Sequence, residues 1–198
     1  MPRRTRQRRC TGCGLIPERC LCERLPRIRL PWPIVVLQHR KERHKPTNTA
    51  RLLPRVIEGC VLLTIALPDR PWSAAQLGST PERFVVVFPS ADAERLDAAR
   101  LDALAESKCG LLLLDGSWRQ AGRMVRRADG VAQLPRVALP PGGPSRWPAR
   151  RAPRPDQLCT FETVVRLVAL ASSRCGAEAA ELERSYQWLL AAQSGRDP

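Results

Sequence analysis

Short, almost uninterrupted apolar runs alternate in this chain with segments of helical periodicity, and that alternation limits its architecture more than any other feature. The runs at residues 34–38, 61–67, 84–88 and 111–114, with a candidate last one at 136–139, have the length of strands and lack the polar alternation of a strand with one wet face. Such strands belong to a sheet covered on both sides. Between them, residues 47–58, 92–106 and 117–127 read as helices. Two more helices close the chain: 160–173, with Phe161, Val164, Val165 and Val168 on one face, and 178–192, with Leu182, Tyr186 and Leu189 recurring similarly. The sequence therefore predicts an α/β domain with a mostly parallel sheet and flanking helices. Its 198 residues suit one such domain, and 43% hydrophobic residues supply an ordinary core. The stretch 140–155 holds six Pro and two Gly, which forbid regular structure and mark a long loop of the kind that carries function.

The start of the chain differs in kind. Five Arg among the first nine residues, four closely spaced Cys, and Pro26, Pro31 and Pro33 predict a basic knuckle and linker over 1–33, with the main domain over 34–198. The whole chain carries 33 Lys and Arg against 19 Asp and Glu, a formal charge of +14. The excess is clustered, with nine Arg and two Glu in 1–30, then nine Arg and one Asp in 119–154. Arg pairs bidentately with phosphate and stacks on bases, so nucleic acid is the expected partner. A merely solvated charged surface is the plain alternative. A membrane is not expected, because no apolar run approaches the roughly 18–20 residues of a span and no basic amphipathic helix is evident. No signal-peptide apolar stretch follows the Arg-rich start, which leads to an expected cytoplasmic location.

Cys10, Cys13, Cys20 and Cys22 are spaced C-x2-C-x6-C-x-C, and Gly12 and Gly14 permit the tight turn through which backbone amides face thiolate sulfur. Four thiolates complete a tetrahedral shell, so a zinc held there is structural. An iron–sulfur cluster and disulfides are the competing readings, the latter disfavoured in a reducing compartment. Cys60, Cys109, Cys159 and Cys175 sit in apolar or helical surroundings and read as core residues.

Polar residues follow three of the strands directly, at 38–42, at 89–90 and at 115–120, where open α/β sheets place their ligand crevices. A fourth polar segment opens the helix at 160. No glycine-rich phosphate loop is present, which argues against nucleotide hydrolysis and a dinucleotide site. In Leu114-Asp115-Gly116-Ser117-Trp118 a carboxylate is delivered to a strand end and a glycine allows a sharp entry into a helix, so Asp115 is a candidate base. The same residues also fit a helix cap with Trp118 packed behind it, and His39 also fits a loop histidine bonded to backbone.

The ordered set Cys-x2-Cys, Cys-x-Cys, Leu-Gln-His with Glu42, Thr49, Phe-Pro-Ser, Leu-Asp-Gly-Ser-Trp, Arg150-Arg151 and Leu-Cys-Thr-Phe-Glu resembles the DTW-domain family, over roughly residues 10–175. Its bacterial members are similar to tRNA-uridine aminocarboxypropyltransferases. Ser117 replaces the Thr of the signature, and 159–163 read Cys-Thr-Phe-Glu-Thr where the family has Ser-Thr-x-Glu-Ala. The resemblance implies a SPOUT-like fold with a knot, S-adenosylmethionine as donor, and transfer of its 3-amino-3-carboxypropyl group to N3 of a tRNA uridine. With that donor and acceptor granted, the uridine imide needs a base, and Asp115 is the expected catalytic residue; the resemblance places Pro89, Ser90, Leu114 and Trp118 around the adenosine. Ser117, Thr160 and Glu162 would hold the amino acid moiety. His39, Arg119, Arg123, Arg150, Arg151 and the knuckle would face RNA. A non-catalytic zinc-knuckle RNA-binding protein and a SPOUT-type RNA methyltransferase are the other readings.

Overall fold

A computed structural model describes residues 8–65, 72–78, 83–149 and 157–195. Its centre is a six-stranded sheet built from β1 (Ile34–His39), β2 (Val61–Ile65), β3 (Phe84–Val87), β4 (Glu94–Arg95), β5 (Gly110–Asp115) and β6 (Arg136–Ala138). The spatial order is β2-β1-β5-β3-β6-β4 and every pairing is parallel. The helices are α1 (Leu53–Val56), α2 (Ala98–Glu106), α3 (Trp118–Arg127), α4 (Thr160–Leu170) and α5 (Ser172–Gln193). Among the described residues no helix is long and apolar enough to cross a membrane.

Strand side chains alternate between two faces, so an all-apolar strand must feed two cores. Ile34, Val36, Val85, Val87, Leu111 and Leu113 enter one core with α2, α4 and α5. Val35, Leu37, Val86 and Leu112 enter the other with Met124 and Val125 of α3. Gly110 opens β5 because a side chain there would collide with the ring of Phe84 on the paired strand.

The N-terminal segment is tied into this body. Leu21 and Trp32 are fully buried in the core of the larger face, and the Trp32 indole N–H donates to the Leu101 carbonyl at 2.9 Å. Ile28 forms a parallel bridge with Ile57, and Arg19 reaches the carbonyls of Ala192 and Gly195 at the end of α5.

Three segments depart from the periodicity. Residues 47–58 form a 3-10 turn at Ala50–Leu52 and a single α-turn, because Pro54 sits in the first helical turn and cannot sustain a longer ladder upstream. Residues 92–106 divide into β4 and α2, with Asp97 as the N-cap accepting from the Arg100 amide at 2.7 Å. The closing helices join more closely than expected, with the break reduced to Ala171 and a non-helical Cys175 inside α5.

Candidate active site

Parallel pairing sets the carboxyl ends of β1, β5 and β3 side by side, which turns three separate sequence segments into one surface. Above them lies a cavity of about 1160 Å³. Asp115, the last residue of β5, lines it while remaining only 3% exposed. The strand register places Asp115 opposite Gln38, whose amide donates to Oδ2 at 3.0 Å. Asn48 donates to the same oxygen at 2.6 Å, and the Thr160 hydroxyl donates to Oδ1 at 2.7 Å. A carboxylate has about four lone-pair positions. Three donors therefore fix the group and leave one position, on Oδ1, for a proton.

After Asp115 the chain turns into α3. Gly116 has little room, since a Cβ would meet the Gln120 side chain at 3.0 Å. Ser117 is the N-cap: its hydroxyl accepts from the Gln120 amide at 3.3 Å, and the Gln120 side chain accepts from the Ser117 amide at 2.7 Å. The next residue, Trp118, is tilted against Phe88 with ring centroids 5.7 Å apart. These rings, with Pro89, Ser90 and Leu114, make an apolar wall of the kind that accepts a planar heterocycle.

A second part of the lining comes from Pro140–Gly142, Ser145, Trp147 and the entry to α4. Glu162 holds this part from behind. Its buried carboxylate does not line the cavity and instead accepts from the Ser145 hydroxyl at 2.5 Å, the Arg146 amide at 3.1 Å and the Arg166 guanidinium at 3.0 Å. Arg166 also donates to the carbonyls of Gly143 and Pro144. Arg146 forms a two-point ion pair with Glu183, at 2.6 and 2.8 Å, and lies over the Tyr186 ring. The described part of the Pro-rich segment predicted as loop, 140–149, thus lacks regular structure but is pinned at several points; 150–155 lie outside the described residues. Cys159, whose thiol desolvation pushes up to about 11, accepts from the Glu162 amide as the N-cap of α4.

Of the residues picked from sequence, Asp115, Pro89, Ser90, Leu114, Ser117, Trp118, Thr160 and Arg119 meet at the cavity. Glu162 is not among the residues lining the cavity and is bonded to Ser145, Arg146 and Arg166. His39 caps the turn after β1, its Nδ1 accepting from the Lys41 amide at 3.2 Å, and burial lowers its pKa. Arg123 is exposed on α3, one turn beyond Arg119 and outside the cavity lining. Arg150 and Arg151 lie outside the described residues. Sequence reasoning missed Asn48, Trp147 and Gln157, all of which line the site. A lone Trp in the Pro- and Gly-rich loop was the available signal for Trp147.

The four knuckle sulfurs lie within 4.8 Å of one another, with pairs at 3.5, 3.6 and 3.7 Å. Tetrahedral zinc at about 2.3 Å from each thiolate requires sulfurs about 3.8 Å apart, so the donor set fits that ion. Backbone amides aim at the cluster as a knuckle demands. The Cys13 amide, helped by that of Gly12, lowers the Cys10 thiol to about 6 against the opposing effect of burial. Gly14 has φ +77, and a side chain there would strike Arg51.

A family model for the DTW domain matches residues 7–194. A relative named tRNA-uridine aminocarboxypropyltransferase 2, from Drosophila melanogaster, is 27% identical over 175 residues, which cover 85% of this chain and 68% of the relative. No solved structure matches the chain. Because the matched span takes in the knuckle, the Asp115–Trp118 turn and both closing helices, the chain belongs to the DTW domain family.

Proposed function

We propose that this protein transfers the 3-amino-3-carboxypropyl group of S-adenosylmethionine to N3 of a uridine in tRNA. The observation that carries the proposal is Asp115, held at a strand end by three neutral donors with one lone-pair position left, beside an aromatic wall in a cavity with room for a donor and a base. The relative's name supports the reaction class. In the same reading the sheet is SPOUT-like, with a knot in its C-terminal part, and the four-cysteine knuckle holds structural zinc in a cytoplasmic protein.

Bound, the donor supplies a carbon activated by its sulfonium: N3 forms the new C–N bond, and the C–S bond breaks with its electron pair on sulfur, leaving methylthioadenosine. The uridine imide is a weak acid, so the N3 proton needs an acceptor. Asp115 Oδ1 takes it, while Gln38 and Asn48 keep the carboxylate from rotating away. Phe88, Pro89, Ser90, Leu114 and Trp118 hold the adenosine, and Ser117 and Thr160 border the donor. This orientation decides which of three activated carbons meets N3. Arg119 and Arg123, four residues apart on α3, His39, and Arg150 and Arg151 contact the tRNA together with the knuckle.

The test is incubation with tRNA and S-adenosylmethionine, followed by digestion to nucleosides and mass spectrometry. A uridine carrying the aminocarboxypropyl mass, with methylthioadenosine in equal amount, is expected. A methylated nucleoside would instead make the protein a methyltransferase. Intact tRNA binding with no new nucleoside would make it a binding protein.

A further inference from the structure

The groups first assigned to the amino acid end of the donor are occupied elsewhere. The Ser117 hydroxyl caps α3, the Thr160 hydroxyl donates to Asp115, and Glu162 is taken up by Ser145, Arg146 and Arg166. Apart from Ser90 Oγ, which is buried in the lining beside Pro89, two other polar groups remain in the same cavity. The Trp147 indole N–H and the Gln157 side-chain oxygen are both buried, both belong to residues lining the cavity, and neither has a hydrogen-bond partner among the described residues. Trp147 itself is 5% exposed. An unpaired buried donor and an unpaired buried acceptor are each unfavourable, and both in one site point to a ligand that completes them.

We infer that Trp147 Nε1–H and Gln157 Oε1 together recognise the zwitterionic α-amino acid end of the donor, the indole donating to its carboxylate and the Gln157 oxygen accepting from its ammonium. This rests on the reaction proposed above. A zwitterion presents the one acceptor and one donor group that the pair lacks. The placement also suits the site. Phe88 and Trp118 form the aromatic pair assigned to the adenosine, and Trp147 and Gln157 line the same cavity, which Thr160 and Asp115 also line. The Glu162 brace preorganises the position: Glu162 fixes the Ser145 hydroxyl, and that hydroxyl accepts the Trp147 backbone amide at 3.2 Å. Trp147 and Gln157 are thus specificity residues, and Glu162 acts through them as a positioning residue.

Three ligands separate the possibilities in titration calorimetry. S-adenosylmethionine and S-adenosylhomocysteine carry the amino acid end, while methylthioadenosine has the same nucleoside without it. Trp147→Phe removes the N–H and keeps a ring, and Gln157→Leu removes the oxygen. Each variant should bind the first two ligands about 10-fold more weakly, the low end for a hydrogen bond to a charged group, with methylthioadenosine unchanged. Equal losses for all three would mean that the residues only shape the pocket, and the inference falls. Unchanged donor binding with weakened tRNA binding would assign the pair to the nucleobase, and it falls again. If Trp147→Phe fails to fold by circular dichroism, Gln157→Leu alone decides. A wild-type protein that binds none of the three ligands overturns the underlying reaction, whereas variants indistinguishable from a binding wild type overturn only this inference.

Discussion

At the scale of single residues, the network around Asp115 decides what a substitution there would report. In Asp115→Asn the remaining oxygen can face Gln38 and Asn48, while the new amide can donate to the Thr160 hydroxyl, which accepts as readily as it donates. The variant keeps the geometry and loses the proton acceptor. We expect Asp115→Asn to melt close to the wild type and bind tRNA normally, with transfer slowed about 10²- to 10⁴-fold, the range of a positioned acid–base group. Asp115→Ala is a different experiment, because it strands three donors at a cost of about 1–3 kcal/mol for each that stays unpaired. A wild-type transfer rate in the Asn variant would reduce Asp115 to an anchor for Asn48 and Thr160.

At the scale of elements, the strands were legible because burial on both faces leaves no alternation to misread, and β1, β3, β5 and β6 fall within two residues of expectation. β4 was not, since two exposed residues, Glu94 and Arg95, carry no apolar pattern and pair only because β6 offers them an edge. The site was legible where polar residues follow strands. It was illegible at Glu162, because, although Arg166 stands one turn along the same helix, Ser145 and Arg146 are brought to it by packing of an irregular segment on α4. That segment is also held to α5 by Arg146 and Glu183, and this contact has a pH signature. The hydrogen bond from Arg146 holds the Glu183 carboxyl below its ordinary 4.5. A depressed carboxyl contributes stability that is present above the unfolded pKa and lost as pH falls through the folded one. Allowing for partial exposure, the pair contributes about 0.5–1 kcal/mol. Glu183→Gln should therefore lower Tm by about 1–4 °C at pH 7 and by nothing measurable well below pH 4. A gap that persisted in acid would trace the effect to packing on Tyr186 and not to charge.

At the scale of the whole molecule, the consequential feature is that the basic N-terminal segment shares the main core. Leu21 and Trp32 are buried with α2 and α5 residues, Arg19 binds the end of α5, and Arg24 lies over Trp188. In the proposed reading, zinc held by the four thiolates adds folding energy to what the knuckle gains from Leu15 and Leu21 in the shared core. Two arrangements then make different predictions. A knuckle hanging from a linker would lose zinc with no effect on the rest. One wedged into the core must weaken the whole domain when its ligands go, because Leu21 and Trp32 lose the frame that keeps them buried. We expect about one zinc per chain in protein purified without chelators, and none after Cys10→Ser with Cys13→Ser. The same variant should unfold in one transition at least about 5 °C lower, corresponding to roughly 2 kcal/mol for a domain of this size. Circular dichroism followed at increasing temperature, beside metal analysis of the same samples, reads both quantities. Zinc lost with Tm unchanged would detach the knuckle from the core energetically, and zinc absent from the wild type would remove the site itself.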